Sequence, residues 1–496
     1  MGLERGPPKE NDVRASFLQQ PATNVDWCIV AQLTIDMLPD VALLEIFHFY
    51  VKKRGIWIEN WHTLVHVCRK WRNIVFESPR RLNLRLLCRP STPVREMLGI
   101  WPLLPIVMSI QFYDLEWLGK IPNRHIAAAV LLEHNNRICE MHYHNVYLGF
   151  ILDAMMQPFP ALTCLSLQYM GTAPVVPNSF LGGSAPLLRS LTLSGVPFPG
   201  LPNLLLSAAH LVHLELKDIP HSGYLSPNTM VTTLSTLTRL EYLTIKFESF
   251  VSRQKSPHSP LLARAFLPVL TAFHFRGFDK YLEDLVVWMD APMLKELKIT
   301  FFDHEGIFDS PQLSQFICRA QEFNAHDEAR LEIDRSAGVS VTVPQKLGGV
   351  FNLEIRELSY GPEDFTSDQL TSLVQVCNSS FPLPLIPSVE CLRIFHAGYI
   401  PLSLRSNPQD RKWLELFHLF TAVKALYISW EFVPYIVPAL HELIGELERV
   451  TEVLPALQTV FLENLPIEPI FSYQEGIERF AAARQHAGRP ITVFWE

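Results

Sequence analysis

The stretch that decides the fold is Pro186-Leu187-Leu188-Arg189-Ser190-Leu191-Thr192-Leu193. Residues 190–194 alternate in a way that suits a strand: Leu191 and Leu193 fall on one side, Ser190, Thr192 and Ser194 on the other. Leu188 lies three residues upstream, where a proline-started turn would carry it under the same face. The pattern returns at Pro160-Ala161-Leu162-Thr163-Cys164-Leu165-Ser166-Leu167 and at Leu211-Val212-His213-Leu214-Glu215-Leu216. It continues through Leu240/Leu243/Ile245, Leu270/Phe273/Phe275 and Leu294/Leu297/Ile299, then Val389/Leu392/Ile394, Val423/Leu426/Ile428 and Leu457/Val460/Leu462. Weaker copies stand at Val107/Ile110/Phe112, Ile138/Met141/Tyr143 and Ile355/Leu358/Tyr360.

The intervals decide between a repeat and a coincidence. First positions 162, 188, 211, 240, 270 and 294 are 26, 23, 29, 30 and 24 residues apart, and 355, 389, 423 and 457 are each 34 apart. Leucine-rich repeats run roughly 20–29 residues with an L-x-x-L-x-L strand, and this region resembles them. The longer late intervals leave room for returning helices. Apolar faces for these appear at Leu370/Leu373/Val374/Cys377 behind a Thr366–Gln369 capping box, at Trp413/Leu416/Phe417/Phe420 and at Leu440/Ile444/Leu447. The asparagine that such repeats place after the strand is missing. Met170, Val196, Ile219, Phe278, Phe302 and Leu465 hold that slot, so apolar packing is expected to replace an amide ladder. Residues 303–350 fit the pattern poorly, with Leu331-Glu332-Ile333 as a degenerate copy. Ser249–Ser259 reads as an exposed loop.

Upstream, Leu38-Pro39-Asp40-Val41-Ala42-Leu43-Leu44-Glu45-Ile46-Phe47 starts a helix. Pro39 suits its first position and Asp40 its positive end, with Val41, Leu44 and Phe47 on one apolar face beside Leu43 and Tyr50. A second helix is expected to carry Trp61, Leu64, Val65, Cys68, Trp71, Ile74 and Val75 as one stripe. Between them lies a long insertion, Lys52–Asn60. The combination of Leu38-Pro39-Asp40, Leu43-Leu44-Glu45-Ile46-Phe47 and Val67-Cys68-Arg69-Lys70-Trp71-Arg72 resembles the F-box. Ser78-Pro79-Arg80-Arg81-Leu82-Asn83-Leu84 is similar to the version in basidiomycete fungal F-box proteins.

The organisation expected is therefore α/β. A lead-in covers 1–33, a small helical F-box module 34–90, and a leucine-rich-repeat-like solenoid 91–496. Its parallel strands would line the concave side, with helices and loops on the convex side. The resemblance implies docking of a Skp-type adaptor, and cullin through it, by Leu38, Pro39, Asp40, Leu43, Leu44, Ile46, Phe47, Val67, Cys68 and Trp71. It also implies a substrate-recognition subunit of an SCF-type ubiquitin ligase, itself no enzyme. The alternative is a scaffold that binds the adaptor without directing ubiquitin transfer.

Composition narrows the field further. With 48% hydrophobic and 19% charged residues and a net charge of −8, the chain has the make-up of a globular protein. No Lys/Arg tract of the kind that reads nucleic acid is present, so no nucleic-acid partner is expected. Met97–Tyr113 and Ala154–Leu188 are interrupted by prolines, against a membrane span. Eight cysteines without a Cys-x-x-Cys pair, behind a polar Met1–Lys9, point to reduced thiols and a cytoplasmic and/or nuclear setting.

Motifs for phosphate cradling (G-x-x-x-x-G-K-[ST], G-x-G-x-x-G) and for a nucleophile elbow are absent. His441-Glu442 lacks the second histidine of a zinc protease. His142 and His144 share one side of a strand, but an exposed pair is the plainer reading than a metal site. No cofactor is expected. Target capture, by an unidentified protein substrate, is expected at strand residues pointing away from the leucines. These are His142, His144, Glu215, Lys217, Lys246, His274, Arg276, Glu296, Lys298, Arg393 and Tyr427. The basic lean from Lys217 to Lys298 suggests an acidic or phosphorylated segment.

Overall fold

The computed structural model describes residues 35–53, 60–89, 94–111, 130–144 (without 131), 149–248 (without 170, 172 and 173) and 264–302. It further describes 311–320, 328–334, 338–344, 350–356, 370–377 (without 372 and 376), 386–397, 412–464 (without 446) and 471–495. The lead-in 1–33, Ser249–Ser259, Thr366–Gln369, Phe112, Met170, Leu358, Tyr360, Leu465 and most of Lys52–Asn60 lie outside these residues. The chain divides into two units, Met1–Leu84 and Arg85–Glu496.

In the first unit, α1 (Asp40–Lys53), α2 (Trp61–Val65) and α3 (Arg69–Glu77) follow a short turn at Ile35–Met37. The Pro39 carbonyl accepts from the Ala42 and Leu43 amides at 2.9 and 3.1 Å, starting α1 directly after the proline. The stripe from Trp61 to Val75 is two helices, not one. Cys68 is extended (φ −156°), and its Sγ accepts from the Trp71 amide at 3.5 Å, capping α3. The carbonyl freed at the break, that of Val65, accepts from Arg72 Nε at 3.0 Å. The apolar face of α1 also turns out differently. Leu43 and Phe47, four residues apart, are fully buried with Trp61, Val65 and Val75, whereas Val41 is 69% exposed. The Phe47 ring sits 4.7 Å from that of Trp71.

The second unit begins with a strand inside the 34–90 stretch expected to be helical. Its strands are β1 (Leu86–Cys88), β2 (Ile106–Gln111), β3 (Ile138–His144), β4 (Cys164–Gln168), β5 (Ser190–Ser194) and β6 (His213–Ile219). Next come β7 (Tyr242–Phe247), β8 (Ala265–Phe266), β9 (Ala272–Gly277), β10 (Met289–Asp290), β11 (Glu296–Phe302) and β12 (Glu328–Asp334). The last six are β13 (Gly338–Pro344), β14 (Val350–Arg356), β15 (Cys391–Ala397), β16 (Ala425–Ser429), β17 (Thr459–Glu463) and β18 (Thr492–Trp495). All but β8 and β10, which pair with each other, join one sheet ordered β1-β2-β3-β4-β5-β6-β7-β9-β11-β14-β13-β12-β15-β16-β17-β18. Every pairing is parallel except the two made by β13. This is an α/β arrangement with a large, mostly parallel sheet and helices, consistent with a leucine-rich-repeat-like solenoid.

Register shows why the sheet is continuous. Leu165, Leu191, Leu214, Leu243, Phe273, Leu297 and Phe351 are successive Cα partners, and all are at most 1% exposed. A second row runs through Leu167, Leu193, Leu216, Ile245, Phe275, Ile299 and Leu353. Returning helices bury against these rows, as the Phe273 and Phe316 rings show at 6.4 Å from strand and helix (Pro311–Arg319).

Two expectations change here. The 34-residue interval from Ile355 to Val389 is not a repeat step, because the neighbour of β15 is β12, with Ala329 and Leu331 opposite Leu392 and Ile394. The chain leaves β11, crosses to β12, and returns by hairpin through β13 to β14 beside β11. Residues 328–356 therefore fill three sheet positions in reversed order, which explains why they lack the repeat pattern. In β2, Met108 rather than Ile110 is the partner of Met141, and Ile110 is opposite Tyr143.

The missing asparagine ladder has two substitutes. Val196 and Phe302 are buried, and the Phe278 and Phe302 rings meet at 5.4 Å, as apolar packing requires. Backbone polar groups are satisfied at the other end of the strand. The carbonyl just ahead of one strand accepts two amides from the next repeat: Arg189 O from Val212 N (2.8 Å) and His213 N (3.0 Å), Val212 O from Glu241 N and Tyr242 N, and Glu241 O from Thr271 N and Ala272 N. The same joint recurs late, at Lys424 O with Gln458 N and Thr459 N.

Candidate functional site

In the first unit, the ten residues expected to dock an adaptor separate by burial. Leu43 and Phe47 are core residues with no exposed surface and are corrected accordingly. Pro39, Asp40, Ile46 (43%) and Val67 (58%) are exposed, while Leu38, Leu44, Cys68 and Trp71 are half-buried. Val41, which the spacing groups with Leu44 and Phe47, and Phe49 (67% exposed), which it leaves out, also present apolar surface. The helix start is tied down from α3, where Lys70 Nζ reaches Asp40 Oδ1 at 3.3 Å and the Leu38 carbonyl at 3.0 Å.

In the second unit, strand alternation brings all eleven residues expected to capture a target onto the sheet face opposite the leucine rows. His142, Ser166, Thr192, Glu215, Thr244, His274 and Lys298 form one row of successive partners. Their side chains sort into three groups.

At the β3 end, Glu140 pairs with Arg85 and lies 3.4 Å from His142 Nε2. The hydrogen bond from His142 and the Arg85 charge hold its carboxyl below the usual range, against the effect of burial. His144 is lowered by burial and by His142 beside it. Among the described residues no three His, Cys, Asp or Glu side chains gather to hold a metal ion.

In the middle, His213 stacks on Tyr242 with ring centres 4.3 Å apart. Tyr242 Oη lies 2.8 Å from His274 Nδ1, and His274 Nε2 lies 3.0 Å from Glu296 Oε1. Tyr242 escaped sequence reading although it lies on the same side of β7 as Lys246. Burial lowers the His274 imidazole although Glu296 opposes it. A neutral ring fits both bonds, with Nε2–H donating to the carboxylate and Nδ1 accepting from the phenol. The basic lean is smaller than the residue types suggest. Lys217 is paired with Glu215 at 2.6 Å, and Lys298 with Glu296. Burial raises the Glu215 carboxyl, but Lys217 and His213 outweigh it and leave it below the usual carboxylate range.

At the C-terminal end, Arg393 lies 3.8 Å over the Tyr427 ring and bridges Glu328 (3.3 Å) and Glu463 (3.0 Å). Tyr427 stacks on Phe461 at 4.3 Å, and Phe461 on Phe494 at 5.1 Å, so three rings run across β16, β17 and β18 at about the strand spacing.

No family profile matches the chain, and no curated protein does. Among solved structures, the leucine-rich repeat-containing protein LegL7 from Legionella pneumophila is similar at 10% identity, over 72% of this chain and 94% of that one, with a TM-score of 0.26. No helix among the described residues is long and apolar enough to cross a membrane.

Proposed function

We propose that the chain is the substrate-recognition subunit of an SCF-type ubiquitin ligase, the first unit docking a Skp-type adaptor and the repeat sheet holding a protein target. The observation that carries this reading is the first unit's combination of motif and surface. A helix opened by Leu38-Pro39-Asp40 and a capped helix from Val67-Cys68-Arg69-Lys70-Trp71-Arg72 share one small core, yet Val41, Ile46, Phe49 and Val67 remain exposed. Exposed apolar residues on so small a unit mark a surface that a partner covers. The resemblance of these segments to the F-box names the partner.

On this reading the chain makes and breaks no covalent bond. It holds a target lysine beside a charged ubiquitin-conjugating enzyme, raising the effective concentration of one reactant at the other. The open sheet face, with its ion pairs and stacked rings, offers the target a long polar and aromatic surface. The scaffold alternative shares the adaptor and lacks ubiquitin transfer. Affinity purification followed by mass spectrometry, with and without proteasome inhibition, tests both. Adaptor and cullin should co-elute, and target proteins should accumulate under inhibition. Adaptor without cullin would favour the scaffold, and neither would refute the assignment.

A further inference from the structure

Two cations on the open face stand apart from every ion pair described above. Lys246 on β7 and Arg276 on β9 are Cα partners on adjacent strands, and among the described residues neither has a carboxylate within ion-pairing distance. Both are half-buried, so solvent only partly serves them. Arg276 lies 5.4 Å from the Phe302 ring centre, which steadies the guanidinium, while its Nε–H is buried with no acceptor among the described residues. Thr244, on the same side of β7 by alternation, is 0% exposed, and its hydroxyl is likewise buried with no hydrogen-bond partner among the described residues. Buried donors are rarely left unmet, because each costs its full desolvation without return. Here two buried donors, guanidinium and hydroxyl, are left unmet beside a half-buried ammonium on one patch two strands wide.

We propose that Lys246, Arg276 and Thr244 form a binding site for a compact dianionic oxyanion, a group with the charge and size of a phosphate monoester. The framing residues argue for a compact anion over a run of carboxylates. Glu215 and Asp218 lie on the neighbouring strand β6, Glu296 on β11, and Glu354 on β14 beyond it. An extended acidic segment would meet these four carboxylates, whereas one doubly charged group matches the two unpaired cations and offers several acceptor oxygens. The local electrostatics agree. Burial and the nearby Lys217 and Arg276 charges push the Lys246 ammonium below its ordinary value, a strain that an anion between the cations relieves. The site does not depend on whether the first unit binds an adaptor.

The test measures binding of inorganic phosphate, and of matched peptides bearing phosphoserine or glutamate, to the full chain at constant ionic strength. Phosphate and the phosphoserine peptide should bind, and the glutamate peptide should bind at least tenfold more weakly. Lys246→Gln with Arg276→Gln should reduce phosphate binding at least tenfold, while Lys280→Ala, which removes a helix cation paired with Asp284, should not. Thr244→Val separates site from scaffold. Replacing an unpartnered hydroxyl by a methyl of similar shape should leave the melting temperature unchanged or higher and weaken phosphate binding several-fold. If the double variant does not fold, Thr244→Val and Lys246→Gln alone decide. Phosphate binding that survives these substitutions, that chloride reproduces, or that is absent would overturn the proposal. Binding of inorganic phosphate without the phosphopeptide would locate the source of the anion in a free ligand.

Discussion

Tyr242 Oη and His274 Nδ1 meet at 2.8 Å on the open face of the sheet, and the far nitrogen of the same imidazole meets Glu296 at 3.0 Å. This row joins three adjacent strands through side chains that lie 22 and 32 residues from His274 in sequence. A neutral ring makes both bonds, Nδ1 accepting from the phenol and Nε2–H donating to the carboxylate, and protonation turns the Tyr242 contact round, the phenol oxygen then accepting from Nδ1–H.

Burial of the His274 imidazole predicts a pH dependence. His274 is held below its ordinary value by burial, with Lys298 and Lys246 adding to it and Glu296 opposing. A histidine depressed in the folded state binds fewer protons there than when unfolded. Its contribution to stability is thus complete above the unfolded pKa of about 6.5 and is lost as pH falls through the folded one. Burial raises the Glu296 carboxyl, but hydrogen bonds from Lys298 and His274 outweigh it and leave it low, so it stays ionised in this window. The melting temperature should fall between pH 7.5 and 5.5 more steeply for the native chain than for His274→Gln. Equal slopes would mean the row contributes nothing.

The leucine rows predict a second outcome. Leu214 is fully buried between Leu191 and Leu243. Leu214→Ala should cost about 2–5 kcal/mol, and Leu214→Asp more, because it adds a buried unpaired charge. Unaltered thermal unfolding of the aspartate variant would contradict stacked rows.

A third prediction concerns Arg484, fully buried on the helix Phe471–His486. Its guanidinium donates to the carbonyls of Val450 (3.0 Å), Val453 (3.1 Å) and Leu454 (3.4 Å), groups at the end of the preceding helix, Leu447–Glu452. Arg319 does the same for Val286 and Met289, and Arg137 for Leu104. Arg484→Ala should cost about 3 kcal/mol, from charged hydrogen bonds lost and carbonyls left unmet. Arg484→Lys should recover only part, since an ammonium cannot reproduce the planar fork. Chemical denaturation of the two variants measures the difference.

The first unit offers a contrast between two phenylalanines two residues apart. Phe47→Ala should cost about 3–5 kcal/mol of that unit's stability, because Phe47 is fully buried against Trp71. Ile46→Ala with Phe49→Ala should leave stability nearly unchanged and weaken adaptor binding by about 2 kcal/mol or more per anchor. Pull-down together with thermal melting distinguishes the two. Leu38→Ala with Pro39→Ala should also abolish adaptor capture while the repeat sheet stays folded.

Local spacing carried much of the architecture. The L-x-x-L-x-L intervals marked β4, β5, β6, β7, β9 and β11 with their core residues, because a half-buried strand must alternate whatever its neighbours are. Alternation also placed Lys246, His274 and Arg276 on the open face. It could not pair them, since pairing depends on which strands become neighbours and on how far each side chain reaches. Hence Lys217 and Lys298 looked free in the sequence and are ion-paired in the structure, and Tyr242 looked ordinary and is half of the central hydrogen bond.

What the sequence determined by itself was the period: a strand and a return at each repeat, set by the two-residue alternation of apolar side chains and by prolines at the turns. Tertiary structure alone decided the order of strands. Residues 328–356 enter the sheet reversed because β12 pairs beside β15 and leaves two places that only a hairpin can fill. It likewise decided that Leu43 and Phe47 turn inward while Val41 faces solvent, since which side of α1 is buried depends on where α2 and α3 pack. A periodic pattern specifies a face, and only the arrival of a partner element specifies which face is covered.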